Sequence, residues 1–303
     1  MKPRHAVSLQ NMSATEKYNH LKRIIAKSKS AVVAFSGGVD STFLLAVCVD
    51  QLKNKVLVKN KVLVKNQVLV KDRVLAVTAD SEILPRYELT RARDLARQLG
   101  ARHLVVQSED LTISGFADNP PERCYLCKKE RFLKIKQIAK AKGFDWVFDG
   151  SNTDDAEDFR PGRKAIHELG IRSPLVEAGL GKSEIRILSK SLDLATWGQP
   201  SAACLASRIP YDTKITRPVL EQIENAENFL RRLGMRVFRV RHHDTLARLE
   251  LGEKEVRFLF ENNLCNRVVR HLESVGYRYV TVDLKGYRTG SMNEVLPESR
   301  RTE

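Results

Sequence analysis

The feature that most constrains the fold is a short glycine-containing loop between an apolar segment and a helix-forming segment. The strand-like run Ala31–Phe35 leads into the loop Ser36-Gly37-Gly38-Val39-Asp40-Ser41, and the helix-like segment Thr42–Leu52 follows. Glycines let a backbone approach an anion closely, and the first N–H groups of a helix point toward it. The pattern therefore predicts a phosphate-binding loop at the end of the first strand of an α/β domain.

Strand-like runs alternate with helix-period segments over the first part of the chain, which is typical of a parallel sheet. Further strands of this kind are predicted at Val74–Thr78, His103–Gln107 and Trp146–Phe148. Beyond Pro218 the order changes to a long helix, two strands, one or two helices and a last strand at Tyr279–Leu284. We therefore predict a parallel-sheet α/β domain over residues 1–200 and a small α+β domain over residues 201–303.

Residues 53–72 interrupt this order with a basic repeat, built on the hexamers KVLVKN, KVLVKN and QVLVKD. The next copy, RVLAVT from Arg73, continues into the second predicted strand, so we interpret the earlier copies as an insertion. The formal net charge is +15, and residues 53–73 contribute +6 of it, from seven Lys or Arg against Asp72. This clustering weakens the case for a nucleic-acid partner, although the total charge alone would favour one.

Composition and cysteine count narrow the class of protein. Charged residues interrupt each apolar run before the roughly 18 residues that a membrane-spanning helix needs. Met1–Asn11 is basic, but no apolar segment follows it, so a cytoplasmic protein without a membrane partner is expected. An odd count of five cysteines argues against a disulfide framework and directs attention to thiols as ligands or nucleophiles.

Three of the cysteines are candidates for chemistry. Cys124 and Cys127 form a C-x-x-C pair before a basic helix-like segment, and Cys204 lies in a separate predicted loop. The pair alone is compatible with zinc, a redox dithiol or an iron–sulfur cluster. Zinc usually takes four N or S ligands, whereas three thiols leave one iron of a [4Fe-4S] cluster open. Cys48 and Cys265 lie in apolar helical segments and are interpreted as structural.

Two segments that follow predicted strands carry groups suited to a nucleotide. Thr78 and Asp80 end the second strand, and the carboxyl edge of a parallel sheet is where nucleotides bind. The acidic loop 149–162, which includes Asp149 and Asn152, can hold Mg²⁺ on phosphate oxygens. A solvated loop with side-chain caps is the alternative interpretation.

A second glycine-containing segment looks like the end of a Walker loop. It reads Gly181-Lys182-Ser183, but Val176 stands where the first glycine of such a loop is required. We therefore interpret Ser183 as the N-cap of the helix that follows.

The order of these motifs resembles a known family. The loop from Ser36 to Ser41 is similar to the SGGxDS loop of PP-loop ATP pyrophosphatases, which grip the pyrophosphate of ATP. Nearly the whole chain outside the repeat resembles the LarE family of ATP-dependent sulfurtransferases. Members convert pyridinium-3,5-biscarboxylic acid mononucleotide to its thiocarboxylate form, in biosynthesis of a nickel-pincer nucleotide cofactor. The motifs that carry the resemblance are SGGVDSTFL, TADSEILPRYE, RCYLCK, DGSNTDDAEDFRPG, ACLASRIPY and RVRHHDTLARLE.

The resemblance implies a PP-loop domain, similar to the adenine nucleotide alpha hydrolases, that uses ATP and Mg²⁺. It implies that ATP contacts Ser36, Gly37, Gly38, Val39, Asp40, Ser41, Thr78, Asp80, Asp149 and Asn152. It further implies catalytic roles for Asp40, Ser41 and Cys204. Some members use the cysteine of ACLASR as a sacrificial sulfur donor, and others hold a [4Fe-4S] cluster on three thiols. With Cys124, Cys127 and Cys204 the chain resembles the cluster type, while the identity of the sulfur donor stays open.

A mononucleotide with two carboxylates and a phosphate needs fixed cations. Arg239 and Arg241 lie two residues apart on a predicted strand and hence on one face, although a solvated strand face would look the same. The full set expected at the substrate site is Ser207, Arg208, Glu227, Arg239, Arg241 and Glu250. Glu227 and Glu250 are expected to orient the arginines or to bind metal at the subunit boundary. Asp212 stands where the family often has glycine, which questions the conformation of that loop.

Three other functions remain open from the sequence. Some tRNA thiolases also pair a PP-loop with three cysteines, but their loops more often read SGGKDS, and the chain lacks their extra zinc-binding cysteines. A non-sulfur amide ligase would leave the C-x-x-C pair without a purpose, and a non-enzymatic ATP-binding module is the third. The resemblance also implies a homo-oligomer.

Overall fold

The computed structural model describes residues 12–53, 73–156, 161–200 and 202–297. The predicted insertion therefore lies almost entirely outside the described residues, and so does the 157–160 part of the acidic loop. Among the helices of the described residues, none is both long enough and apolar enough to cross a membrane.

The chain forms two compact units. The first consists of Met1–Asp80, Arg86–Ser108 and Lys128–Ser201, and the second consists of Ser81–Pro85, Glu109–Cys127 and Ala202–Glu303. Two segments from the first 200 residues thus belong to the second unit, one of them carrying the C-x-x-C pair.

The first unit contains a four-stranded parallel sheet, which confirms the predicted α/β class. Its strands are β1 (Ala31–Ala34), β2 (Val74–Asp80), β3 (Arg102–Gln107) and β4 (Trp146–Phe148). The order across the sheet is β3-β2-β1-β4, and Ala31 of β1 is in register with Val74 and Trp146. β1 is therefore central, which places the loop that follows it in the middle of the carboxyl edge.

Helices cover both faces of this sheet. In chain order they are α1 (Ala14–Ala26), α2 (Val39–Lys53), α3 (Arg86–Gln98), α4 (Arg123–Ala141), α5 (Gly162–Glu168), α6 (Pro174–Glu177) and α7 (Lys182–Ser191). Ala31 and Val33 pack in one apolar cluster with Phe43 of α2, whereas Val32 packs in another with Phe132 of α4. Alternate β1 side chains are thus buried on opposite faces, as expected of a parallel sheet.

Several helices of the first unit differ from the sequence prediction. α2 begins at Val39 rather than at Thr42. α1 was not predicted; Ser13 caps it, with Glu16 closing a capping box. α7 begins at Lys182, so the prediction of Ser183 as N-cap was wrong. The carboxylate of Glu184 accepts a hydrogen bond from the Gly181 N–H at 2.9 Å, which starts the helix earlier.

The second unit contains the small mixed sheet. Its strands are β5 (Phe238–His243), β6 (Leu246–Leu251) and β7 (Tyr279–Val282), and its helices are α8 (Arg217–Arg232), α9 (Glu253–Glu261) and α10 (Cys265–Ser274). β5 pairs with β6 antiparallel, and β6 pairs with β7 parallel. Leu230 of α8 and Leu272 of α10 pack with Val240 and Leu249 in one core. Arg239 and Arg241, which alternate with Val240 along β5, lie on the opposite face of the sheet.

Candidate active site

The predicted phosphate-binding loop from Ser36 to Ser41, called the phosphate loop below, is held in shape by its own serines. Ser36 Oγ accepts a hydrogen bond from the Gly38 N–H at 3.3 Å and lies 3.1 Å from Ser41 Oγ. Ser41 Oγ in turn donates to the Gly38 carbonyl at 3.3 Å. β1 ends at Ala34 and α2 begins at Val39, so the loop joins a strand end to a helix N-terminus. These features match a phosphate-binding loop.

Two glycines let neighbouring segments approach this loop closely. Gly37 has φ +70°, and a Cβ there would lie 3.1 Å from Ala92 Cα of α3. A Cβ on Gly150, which follows β4, would lie 3.1 Å from the Ser41 nitrogen. A side chain at either position would need the neighbouring backbone to shift by a few tenths of an ångström, and at Gly37 the positive φ would add backbone strain.

Asp40 is the most unusual group of the loop because its two carboxylate oxygens differ. Oδ2 accepts a hydrogen bond from Lys182 Nζ at 2.5 Å, while Oδ1 is buried and has no hydrogen-bond partner in the described part of the chain. Burial raises the pKa of the Asp40 carboxyl above its ordinary value, and the charge of Lys182 opposes that rise. Asp40 therefore has one oxygen held by Lys182 and one buried oxygen that no described residue satisfies.

Lys182 is a residue whose contact the sequence reasoning missed. Its backbone N–H donates to Asp154 Oδ2 at 3.0 Å, so the acidic loop and the phosphate loop both contact the start of α7. A Cβ on Gly181 would lie 2.6 Å from Asp154 Oδ1. The signal was present in Gly181-Lys182-Ser183, which was set aside because it does not fit a Walker loop.

The predicted nucleotide residues at the end of β2 are engaged with the protein. Thr78 Oγ1 donates to the Phe35 carbonyl at 2.6 Å and lies 2.7 Å from His103 Nε2. Asp80 accepts hydrogen bonds from Arg86 at 2.5 Å and from Gln107 at 3.1 Å. Thr78 thus fixes the end of β1 beside the phosphate loop, and contact of either residue with ATP stays a prediction.

Asp149 and Asn152, the first residues of the acidic loop, also have protein partners. Asp149 accepts hydrogen bonds from Ser151 Oγ and Ser173 Oγ, each at 2.5 Å. Asn152 Oδ1 accepts from the Asp154 N–H at 2.9 Å. Within the described residues, no three His, Cys, Asp or Glu side chains are grouped as a metal site. In the structure both side chains shape the loop.

The three candidate thiols all lie in the second unit. Cys124 and Cys127 are one helical turn apart in α4; the first is exposed and the second buried. Cys204 is half-buried and packs against the apolar cluster that contains Cys127 and Leu205. Two of the three thiols therefore belong to one apolar packing cluster, but the described residues contain no group of three thiols placed as metal ligands. In number and type the donors fit a three-cysteine iron–sulfur cluster.

The other two cysteines have different surroundings. Cys48 is fully buried in the first unit, and burial raises the pKa of its thiol. Cys265 is half-buried at the start of α10, where its Sγ lies 3.9 Å from the Leu259 carbonyl oxygen. Burial keeps Cys48 protonated and thus unreactive.

Arg208 organises the loop that carries Cys204. Its Nε and Nη2 donate to the two carboxylate oxygens of Glu227 at 2.8 and 2.9 Å. Its Nη1 donates to the carbonyls of Ala203 and Cys204 at 2.8 and 3.0 Å, and to Ser207 Oγ at 3.0 Å. The ion pair is buried, with side-chain exposures of 2% and 3%. Arg208, expected to bind substrate, fixes the cysteine loop in the structure; its substrate role stays a prediction.

Arg239 and Arg241 lie on one face of β5, as their spacing predicted. Arg241 donates to Glu250 Oε2 at 2.6 Å, to Ser291 Oγ at 2.8 Å and to the Ser207 carbonyl at 2.9 Å. The Arg239 guanidinium lies 5.2 Å from the ring centroid of Tyr287. Ser291 was not predicted, and no local pattern marks it.

Asp212, the departure from the family pattern, adopts φ +62°. This is the left-handed conformation that glycine adopts freely and that aspartate tolerates better than most residues. Its N–H donates to the Asn119 carbonyl at 3.0 Å. The loop thus keeps a glycine-like backbone with an aspartate in place.

Comparison with known proteins identifies relatives along most of the chain. No family model matches. A protein of uncharacterised function from Synechocystis is 37% identical over 280 residues, covering 92% of this chain and 98% of the relative. The pyridinium-3,5-bisthiocarboxylic acid mononucleotide synthase of Lactiplantibacillus plantarum is 38% identical over 269 residues, covering 88% and 90%. A third relative, from Methanocaldococcus jannaschii, is 27% identical over 271 residues. The similarity to the synthase extends over most of the chain, and the fold and the loop from Ser36 to Ser41 agree with it. The chain therefore belongs to the LarE family.

Proposed function

We propose that the chain is an ATP-dependent sulfurtransferase that acts on a carboxylate of pyridinium-3,5-biscarboxylic acid mononucleotide through an acyl-adenylate. The observation that carries the proposal is the similarity to the Lactiplantibacillus synthase across 88% of the chain. The phosphate loop and the three thiols supply groups for the two half-reactions, adenylation and sulfur transfer. We propose residues 1–200 as the ATP-using domain and residues 201–303 as the domain for substrate and sulfur.

Adenylation is needed because a carboxylate has no good leaving group. Attack of the substrate carboxylate on the α-phosphorus of ATP forms the acyl–phosphate bond and releases pyrophosphate. In this proposal the N–H groups and hydroxyls from Ser36 to Ser41 bind the pyrophosphate portion. Thr78, Asp80, Asp149 and Asn152 contribute to the rest of the nucleotide site.

Asp40 and Lys182 are proposed to share the charge of the phosphates. The unpaired Oδ1 of Asp40 fits Mg²⁺, which usually takes one or two protein carboxylates and completes its shell with phosphates and water. Magnesium would supply charge neutralisation between the phosphates. Lys182 Nζ, already at the loop, donates to a phosphate oxygen when ATP is present.

The substrate phosphate is proposed to bind at the β5 arginines. Arg239 and Arg241 share a face, and Glu250 holds the Arg241 guanidinium in place. Guanidinium groups suit phosphate because they offer paired N–H donors. Ser207 lies beside this face through its carbonyl contact with Arg241.

Sulfur transfer is proposed to occur at Cys204. A sulfur nucleophile attacks the acyl carbon of the adenylate, and AMP leaves. Cys124 and Cys127 would complete a three-thiolate site for a [4Fe-4S] cluster, which supplies an open iron for a sulfur ligand. In the alternative, Cys204 gives up its own sulfur. Arg208 holds the Cys204 carbonyl in both cases. The enzyme is proposed to act in the cytoplasm as a homo-oligomer.

ATP:pyrophosphate exchange tests the substrate class. Exchange that depends on the pyridinium mononucleotide supports the proposal. Exchange that depends on tRNA would indicate a tRNA thiolase. Exchange supported by other carboxylic acids would indicate an amide ligase. Absence of exchange with every acid would leave only an ATP-binding module.

Iron content tests the sulfur site. Protein purified without oxygen is expected to be brown, with about four irons per chain, and to turn over repeatedly with sulfide. Cys124→Ala and Cys127→Ala are expected to lose iron and sulfur transfer but to keep adenylation. Cys48→Ser is the matched control and changes neither. Colourless protein that transfers one sulfur, with a loss of about 34 Da at Cys204 as dehydroalanine forms, would assign the sacrificial route instead.

A further inference from the structure

Arg123, the first residue of α4, is a buried cation with unused donors. Arg123 is only 4% exposed, and its Nε and Nη1 are buried without a hydrogen-bond partner among the described residues. The guanidinium lies 4.5 Å from the ring centroid of Tyr211. The ring covers one face of the guanidinium, and Nε and Nη1 in its plane remain without a hydrogen-bond acceptor among the described residues.

Two other arginines of the same unit show what a buried guanidinium normally requires. Arg208 and Arg241 are as buried as Arg123, and each makes an ion pair with a buried glutamate. Among the described residues, Arg123 has no such carboxylate. A buried charge is costly unless it is paired, so Arg123 calls for an anion that the carboxylates of the described residues do not supply.

The position of Arg123 indicates which anion is suitable. It directly precedes Cys124, and Tyr211 belongs to the segment that begins at Cys204. Asn119 Nδ2 donates to the Pro210 carbonyl at 2.7 Å, which fixes the chain next to Tyr211. The Arg123–Tyr211 contact therefore joins the two chain segments that carry the thiols.

A purely structural partner would not remove the need of Arg123 for an anion. Asn119, four residues earlier in the chain, has its Oδ1 likewise buried without a hydrogen-bond partner among the described residues. A neutral amide oxygen satisfies one donor but leaves the charge of the guanidinium uncompensated. The helix N-terminus at Arg123 adds positive potential at the same place.

We propose that Arg123 binds the sulfur donor as a small anion, hydrosulfide, beside the cysteine pair. This inference rests on the proposed sulfur-transfer function and names the residue that binds the sulfur donor. Hydrogen sulfide ionises near neutral pH, and hydrosulfide has a single heavy atom, which suits the enclosed edge of a guanidinium. The binding is non-covalent and precedes any transfer of sulfur.

The test compares Arg123→Met and Arg123→Lys with wild type, and uses Arg257→Met, an exposed arginine, as the matched control. Thermal shifts are measured without ATP or oxygen, at matched iron content, with sodium sulfide and with sodium chloride at equal ionic strength. Sulfide is expected to stabilise wild type and the Arg257 variant, with binding roughly tenfold or more weaker in Arg123→Met and intermediate in Arg123→Lys.

A second measurement needs no variant. Hydrogen exchange of the peptide around 123–127 in wild type is expected to slow with sulfide and not with chloride. Equal sulfide shifts in wild type and Arg123→Met, or unchanged exchange, would overturn the inference. A raised KM for the mononucleotide with unchanged sulfide binding would also overturn it, since Arg123 would then serve the acyl substrate. Mononucleotide-dependent pyrophosphate release is followed separately, so failure of the proposed function is distinguished from failure at Arg123.

Discussion

Removing the charge of Glu227 tests whether the buried pair with Arg208 holds the cysteine loop. Glu227 is 2% exposed and accepts both arms of the Arg208 guanidinium. It also accepts from the Val240 N–H of β5 at 3.2 Å. Glu227→Gln keeps the shape of the side chain but leaves Arg208 buried without a counter-charge.

The expected cost is large because the whole pair is enclosed. Breaking a buried ion pair by removing one partner costs about 3–5 kcal/mol, which is a sizeable part of the roughly 5–15 kcal/mol that stabilises a typical domain. Replacing both partners by apolar groups is expected to cost less than Glu227→Gln alone. Arg208→Met combined with Glu227→Leu should therefore recover part of the lost stability.

Urea unfolding at neutral pH measures the free energy of unfolding of these variants. The matched control is Glu221→Gln, an exposed glutamate on the same helix, which is expected to change stability by less than about 0.5 kcal/mol. Sulfur transfer should fall in Glu227→Gln because Arg208 holds the Cys204 carbonyl, while adenylation should persist. A loss below about 1 kcal/mol, or one equal to that of the control, would refute the argument.

The pH dependence has a definite sign. Burial would raise the pKa of Glu227, but Arg208 and the hydrogen bonds it donates outweigh burial and lower it below the ordinary value. The stabilisation is thus present above the pKa of glutamate in the unfolded chain and is lost as the pH falls through the lower folded value. The gap between wild type and Glu227→Gln should narrow at acid pH. A constant gap would show that the carboxylate charge is not its cause.

Two further predictions concern the ATP-using half. Asp40→Ala should abolish pyrophosphate release without loss of fold. Lys182→Met should slow pyrophosphate release by about 100-fold, as expected when a donor to developing charge is removed. Lys190→Met is the control, and normal release in the Asp40 or Lys182 variant would contradict the assigned roles. Deleting residues 55–72, three whole hexamers, should leave activity nearly unchanged, because the copy from Arg73 supplies β2; a folded but inactive deletion variant would show that the insertion has a function.

Local patterns in the sequence determined the framework of the first unit. The strand, the phosphate loop and the helix start are adjacent in the chain, so their residue types identify them without knowledge of distant contacts. The same holds for Cys124 and Cys127, whose spacing places them one turn apart. α1 was missed because its 13 residues are mostly polar, and its capping box at Ser13 was not weighed.

Only the tertiary structure decided which distant groups meet. Lys182 reaches Asp40 across 142 residues, and Ser291 reaches Arg241 across 50. The sequence could place Arg208 beside Cys204, but not show that Glu227 and backbone carbonyls take up its guanidinium. It could not show that Arg123 is buried with no carboxylate beside it among the residues that the structure describes. Such pairings depend on how the chain returns to a sheet edge and on what burial leaves unpaired, and neither is encoded in a local pattern of residue types.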